Sequence, residues 1–168
     1  MFTRLNNKEL LEGTRYHIEN TLVPELKHSD YAVVLAQIVG DLMGVVQRRL
    51  ENGPQWLMEE CDIMLSLLGR AREELGSMDI AEAKEAVDEI DRALSLPVPE
   101  GYESFSLAYL EDRYSTISFA VSRTIRALGF APDEAAVQPL VEEFQRYMLL
   151  RSDHEMVIAG NDPARGRG

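Results

Sequence analysis

Ala32, Ala36, Gly40 and Gly44 recur at every fourth residue of a strongly apolar stretch, so on a helix they align into one nearly smooth ridge. A glycine inside a helix costs about 1 kcal/mol relative to alanine, and two in register predict that a second backbone approaches closely. Such a chain is built by helix packing. The ridge serves either close contact inside the molecule or a subunit interface.

The rest of the chain reads as helix. Asn6 or Asn7 caps a first helix running to about residue 21, with Leu10, Leu11, Thr14, Ile18 and Leu22 on one side, and Pro24 breaks or restarts it. A second helix, residues 30 to 51, carries Tyr31, Val34, Leu35, Ile38, Leu42, Val45 and Val46 on a wide apolar arc with the ridge at its border; Gln37, Asp41 and Arg48 form the wet strip. Asn52-Gly53-Pro54 reads as its stop. A third helix, residues 55 to 76, holds Leu57, Cys61, Met64, Leu68 and Leu75 at helical spacing.

In the fourth helix, Asp79-Ile80-Ala81-Glu82 has the form of a capping box and Ile80, Ala83, Val87, Ile90 and Leu94 make a narrow seam. A fifth, residues 104 to 128, presents Leu110, Tyr114, Ile117, Val121, Thr124 and Leu128, and a sixth starts at Pro139 and buries Leu140, Val141, Phe144 and Met148. The expected fold is all-α: an antiparallel bundle of about four N-terminal helices over residues 1–96, a Pro/Gly linker at 97–103, and a C-terminal helical pair over 104–158 packed on the same domain. Residues 159–168 have little apolar content and are expected to be disordered.

Charge bounds the function. Lys and Arg number 17 against 29 Asp and Glu, a formal net charge of -12, which repels nucleic acid and anionic membranes. Acid residues from Glu73 to Asp91, with Lys84 the only base among them, form either a solvated face or a surface for a basic partner. Cys61 is the only cysteine, which excludes an internal disulfide and a multi-cysteine zinc site, and a cytoplasmic location is the default expectation. The first residues lack an apolar signal core, and Gln37, Asp41 and Gln47 interrupt the longest apolar stretch, so no membrane span is expected.

No residue pattern points to catalysis, a cofactor or a metal. A carboxylate-bridged bundle needs paired Glu-x-x-His motifs, and only Glu25-Leu26-Lys27-His28 has that spacing. His17 shares a side with Leu10 and Thr14, and Cys61 shares one with Leu57, Leu65 and Leu68; both read as packing residues. Contact is the better theme. Ala36, Gly40, Gly44, Arg48, Arg49 and Trp56 are the candidate partner-binding residues: the ridge for close approach, the two arginines for a helix end or a carboxylate or phosphate on a partner, and Trp56 as a core cap or interface anchor.

From Leu10-Leu11-Glu12 through Leu22-Val23-Pro24-Glu25-Leu26 to Gln47-Arg48-Arg49-Leu50-Glu51-Asn52-Gly53-Pro54, the first third of the chain resembles a family of small helical bacterial proteins fused to, or encoded beside, aminoglycoside-phosphotransferase-like kinases and acyl-CoA dehydrogenases. The resemblance implies a non-catalytic accessory subunit. Its protein partner would be a kinase-like or dehydrogenase-like enzyme, the kinase acting on a hydroxyacyl-CoA or similar small molecule. The reading from residues alone keeps an alternative, a homo-oligomeric structural or regulatory helical protein that uses the ridge and the fourth-helix seam for self-association.

Overall fold

The computed structural model describes residues 7–98, 100, 101, 106–131 and 134–161. Among these there are five helices and no strand: α1 (Asn7–His17), α2 (Asp30–Gly76), α3 (Ala81–Leu94), α4 (Leu107–Leu128) and α5 (Glu134–Ile158). Between α1 and α2 lie a π-helical turn, Ile18–Leu22, and one short helical turn, Val23–Glu25, where Pro24 restarts the chain as expected. The all-α class follows from 3.6-residue periodicity sustained in every segment.

The expected second and third helices are one. Pro54 sits inside α2, and Gly53 does not adopt the left-handed conformation that would end a helix there. Proline removes one N–H bond and crowds the preceding turn, at a cost of about 3 kcal/mol, yet the helix runs on through this local stop signal. Asn52 contributes by donating from its side chain to Arg48 O at 3.0 Å. Upstream, Ser29 caps α2, its hydroxyl accepting from the Ala32 N–H at 3.4 Å.

Other boundaries move for local reasons. Ile80, not Asp79, is the N-cap of α3, so the expected capping box does not form; Asp79 instead pairs with Lys84 at 2.5 Å. Ser106 caps α4, its hydroxyl accepting from Tyr109 N–H at 3.2 Å. Helix α5 begins more than a turn before Pro139. At its other end Gly160, at φ +83°, and Asn161 close a Schellman cap, with Gly160 N–H to Val157 O at 3.0 Å and Asn161 N–H to Met156 O at 2.8 Å. These two residues, expected in a disordered tail, are therefore ordered by the helix they terminate, whereas residues 162–168 of that tail, Asn6 and residues 102–105 lie outside the described residues.

The chain divides into two compact units, one of residues 1–53 and 155–168, the other of Pro54–His154. The division does not fall at the Pro97–Gly101 segment, which lies wholly within the second unit and is tied there by Arg113 donating to Pro97 O at 2.7 Å. The second unit owns the core. Met64, Leu68 and Leu75 of α2, Ile90 of α3, Ile117 and Val121 of α4, and Leu140 and Phe144 of α5 are buried together. Small residues let α3 and α4 approach closely, Ala83, Ala86 and Ala93 facing a helix that buries Ala120 and Ala127. Tyr147 takes the inward place expected of Met148, which is exposed.

The first unit is organised differently. Ala36 is the only buried hydrophobic side chain among its described residues. The ridge faces inward: Ala36, Gly40 and Gly44 are all buried, and a methyl group built on Gly40 would meet Ile18 Cγ2 at 4.0 Å. Side chains, not a second backbone, cover it, which corrects the reason expected for its glycines.

Because that contact is ordinary, Gly40→Ala should stabilise the protein by about 0.5–1 kcal/mol through helix propensity. Gly160→Ala should destabilise it by about 1 kcal/mol or more, since φ is positive and the added carbon falls 2.9 Å from Arg48 Nη2. Urea unfolding midpoints of the two variants, moving in opposite directions, check both.

Candidate functional site

Six residues were expected to meet a partner, and the structure distributes them. Ala36, Gly40 and Gly44 are buried rather than presented outward, Gly40 near Ile18 of the π turn and Gly44 near the guanidinium groups of Arg15 and Arg48. Arg48 shares their side of the unit and donates from Nε to Ile158 O at 2.8 Å. It therefore satisfies the carbonyl end of α5, not the end of its own helix, which continues. Arg49 is exposed, one position on. Trp56 belongs to the second unit, where its ring stacks on His154 with centroids 4.3 Å apart and planes inclined by 4°.

What the first unit does present is the opposite face of α2. Tyr31, Val34, Leu35, Ile38, Val39, Leu42, Val46 and Leu50 are 40–75% exposed. On a helix they span one arc, with the buried ridge behind it. The sequence places the ridge at the border of this arc, and in the folded unit it is the ridge that is covered. Eight exposed large apolar side chains on one helix face are more than the scattered single exposures that are ordinary on a monomer. By length and composition α2 could also cross a membrane, which is weak evidence given Asp41 within the apolar window.

The second unit contains a buried polar cluster that sequence reading missed. Glu60 is 5% exposed. Its Oε2 accepts from Tyr114 OH at 2.8 Å and Tyr147 OH at 3.4 Å, and its Oε1 lies 2.6 Å from His154 Nδ1. The two phenol oxygens are 3.3 Å apart, and the Arg151 guanidinium lies 5.5 Å above the Tyr114 ring. Helices α2, α4 and α5 thus converge on one carboxylate. A signal for part of it exists: Tyr147 and His154 are seven residues apart, two polar rings on the core face of one helix.

Burial raises both phenols. Tyr147 is pushed up to about 12, and Tyr114 is raised further by burial and by its bonds to Tyr147 and Glu60. Burial also pushes the Cys61 thiol up to about 11, which keeps it an unreactive packing residue. Chemically, a carboxylate holding an imidazole by Nδ1 is the orienting half of a general-base dyad. Two grooves of this unit open elsewhere. One of about 760 Å³ is lined by α4 and α5 residues such as Leu128, Val141 and Met148, the other, of about 590 Å³, by residues including Ile63, Arg70 and Glu143; neither is lined by Glu60 or His154. Among the described residues no three His, Cys, Asp or Glu side chains gather as a metal site.

Removing the shared acceptor should be costly. Glu60→Ala is expected to destabilise the protein by roughly 3–5 kcal/mol, because it strands three donors that burial has taken from water. Thermal unfolding of the variant checks this. Both phenols hold their proton more tightly when folded than at the ordinary value of 10.0, so their contribution is complete below pH 10 and declines as pH rises toward 12. Alkaline titration should show phenolate absorbance from these two tyrosines only with loss of helical circular dichroism.

Compared with known proteins, this chain matches no protein-family model, no curated protein and no solved structure.

Proposed function

We propose that this protein is a non-catalytic helical subunit whose work is contact with another polypeptide, made through the first unit. One observation carries the reading: an arc of eight exposed large apolar residues stands uncovered on a unit with a single buried hydrophobic side chain among its described residues. A compact unit ordinarily turns such a face inward. Here the inward side is taken by the ridge, so the arc gains only by meeting a partner. The polar cluster of the second unit supports the same reading, because Glu60 already has its three acceptor bonds filled from within.

Together with the resemblance of the first third of the chain, the arc supports an accessory role beside a kinase-like enzyme, with the catalytic chemistry supplied by that enzyme. Co-expression with an aminoglycoside-phosphotransferase-like kinase should give a complex that co-elutes on gel filtration and a raised kinase rate. In Leu42→Glu the complex should weaken by about tenfold or more, since a charge would be buried without a partner. Separate elution with an unchanged rate ends the accessory reading.

A further inference from the structure

Charge is sorted around the middle of α5. Between residues 137 and 149 its charged side chains are Glu142, Glu143 and Arg146, and none of them lines the groove of about 760 Å³ that α5 makes with the end of α4; Glu143 and Arg146 line the other groove instead. Among the described residues that line the first groove none is charged, in a chain where 27% of residues are. The floor is well packed, with Leu128, Val137 and Phe144 only 2–4% exposed. Ile125, Met148 and Leu149, 41–59% exposed, stand at the rim. A concave volume of this size falls in the range of small-molecule sites, roughly 300–1,000 Å³, and an apolar occupant gains by displacing water from such a lining.

Shape and polarity narrow the occupant. The α4 side consists of Ile125, Leu128 and Gly129, little more than one helical turn, whereas the α5 side runs over residues 137–149, roughly 18 Å at 1.5 Å per residue. A partner helix laid in a groove anchors at positions spread over two turns, and the α4 wall ends before that, so a compact molecule fits better than a helix. Gln138 and Gln145 are the polar side chains of the lining, seven positions apart on one side of α5. Gln138 donates to Glu142 at 3.3 Å. The Gln145 amide offers both a donor and an acceptor to an uncharged polar group, and the groove holds no countercharge for an ion.

We propose that the groove between α4 and α5 is a binding site for an uncharged, mainly hydrocarbon small molecule, seated on Leu128, Val137 and Phe144 and oriented by Gln145. This goes beyond the contact reading of the first unit and does not depend on it.

Two fluorescent probes with the same ring skeleton test the site: neutral phenyl-naphthylamine and its anionic sulfonate, anilinonaphthalene sulfonate. Titrated into the full chain, the neutral probe should saturate at one equivalent and bind about tenfold or more tightly than the sulfonate, whose charge meets no cation in the lining. Val141→Trp, which fills the groove, should weaken the neutral probe by about tenfold or more while circular dichroism stays helical. Because a bulky core change can disturb folding, a surface variant gives a second reading. Gln145→Lys supplies the missing cation and should narrow the gap between the two probes several-fold. Equal binding of both probes to the wild-type chain, or a gap that Gln145→Lys leaves unmoved, overturns the proposal. So does a neutral-probe signal that survives Val141→Trp and is lost in Leu42→Glu, which would put the probe on the exposed arc of α2.

Discussion

A carboxylate taken out of water must be met by donors, and in this protein that requirement joins three helices. Glu60 projects from α2 into the apolar side of the second unit, where Tyr114 of α4 and Tyr147 and His154 of α5 satisfy it. The surrounding aliphatic contacts tolerate small slides of one helix against another. The hydrogen bonds do not, because their strength falls steeply with distance and angle. The rotational and axial register of α2, α4 and α5 is therefore set at this point, and the stack of Trp56 on His154 extends it by a turn. Among the described residues no buried side-chain nitrogen or oxygen is left without a partner.

One helix does two unlike jobs on either side of Pro54. Downstream, α2 contributes Met64, Leu68 and Leu75 to a core shared by four helices. Upstream, its smooth side receives α1 and the π turn, and its large apolar side chains point to solvent. Exposed valine, leucine and isoleucine cost free energy that a partner would recover.

Legibility varied with the range of the interaction involved. Helix positions follow from side-chain spacing within one or two turns, and the buried lines of α3 and α4 are close to those expected from Ala83 to Ile90 and from Leu110 to Leu128. Stop signals were less faithful. Asn52-Gly53-Pro54 and Pro139 both lie within helices. Asp79 has the right chemistry for a cap, yet Lys84 engages it. Of the six expected contact residues, the three ridge positions are inward, Arg48 closes the end of a distant helix, and Trp56 belongs to the polar cluster of the other unit.

The chain alone determined that it is helical and that one stretch of α2 has a smooth side and a bulky side, because these follow from local geometry and spacing. Only the tertiary structure decided which side is buried, since both were apolar. It also decided that Glu60, Tyr114, Tyr147 and His154 meet. Their separations of up to 94 residues carry no local signature, and a buried charge finds its donors only when whole helices have packed.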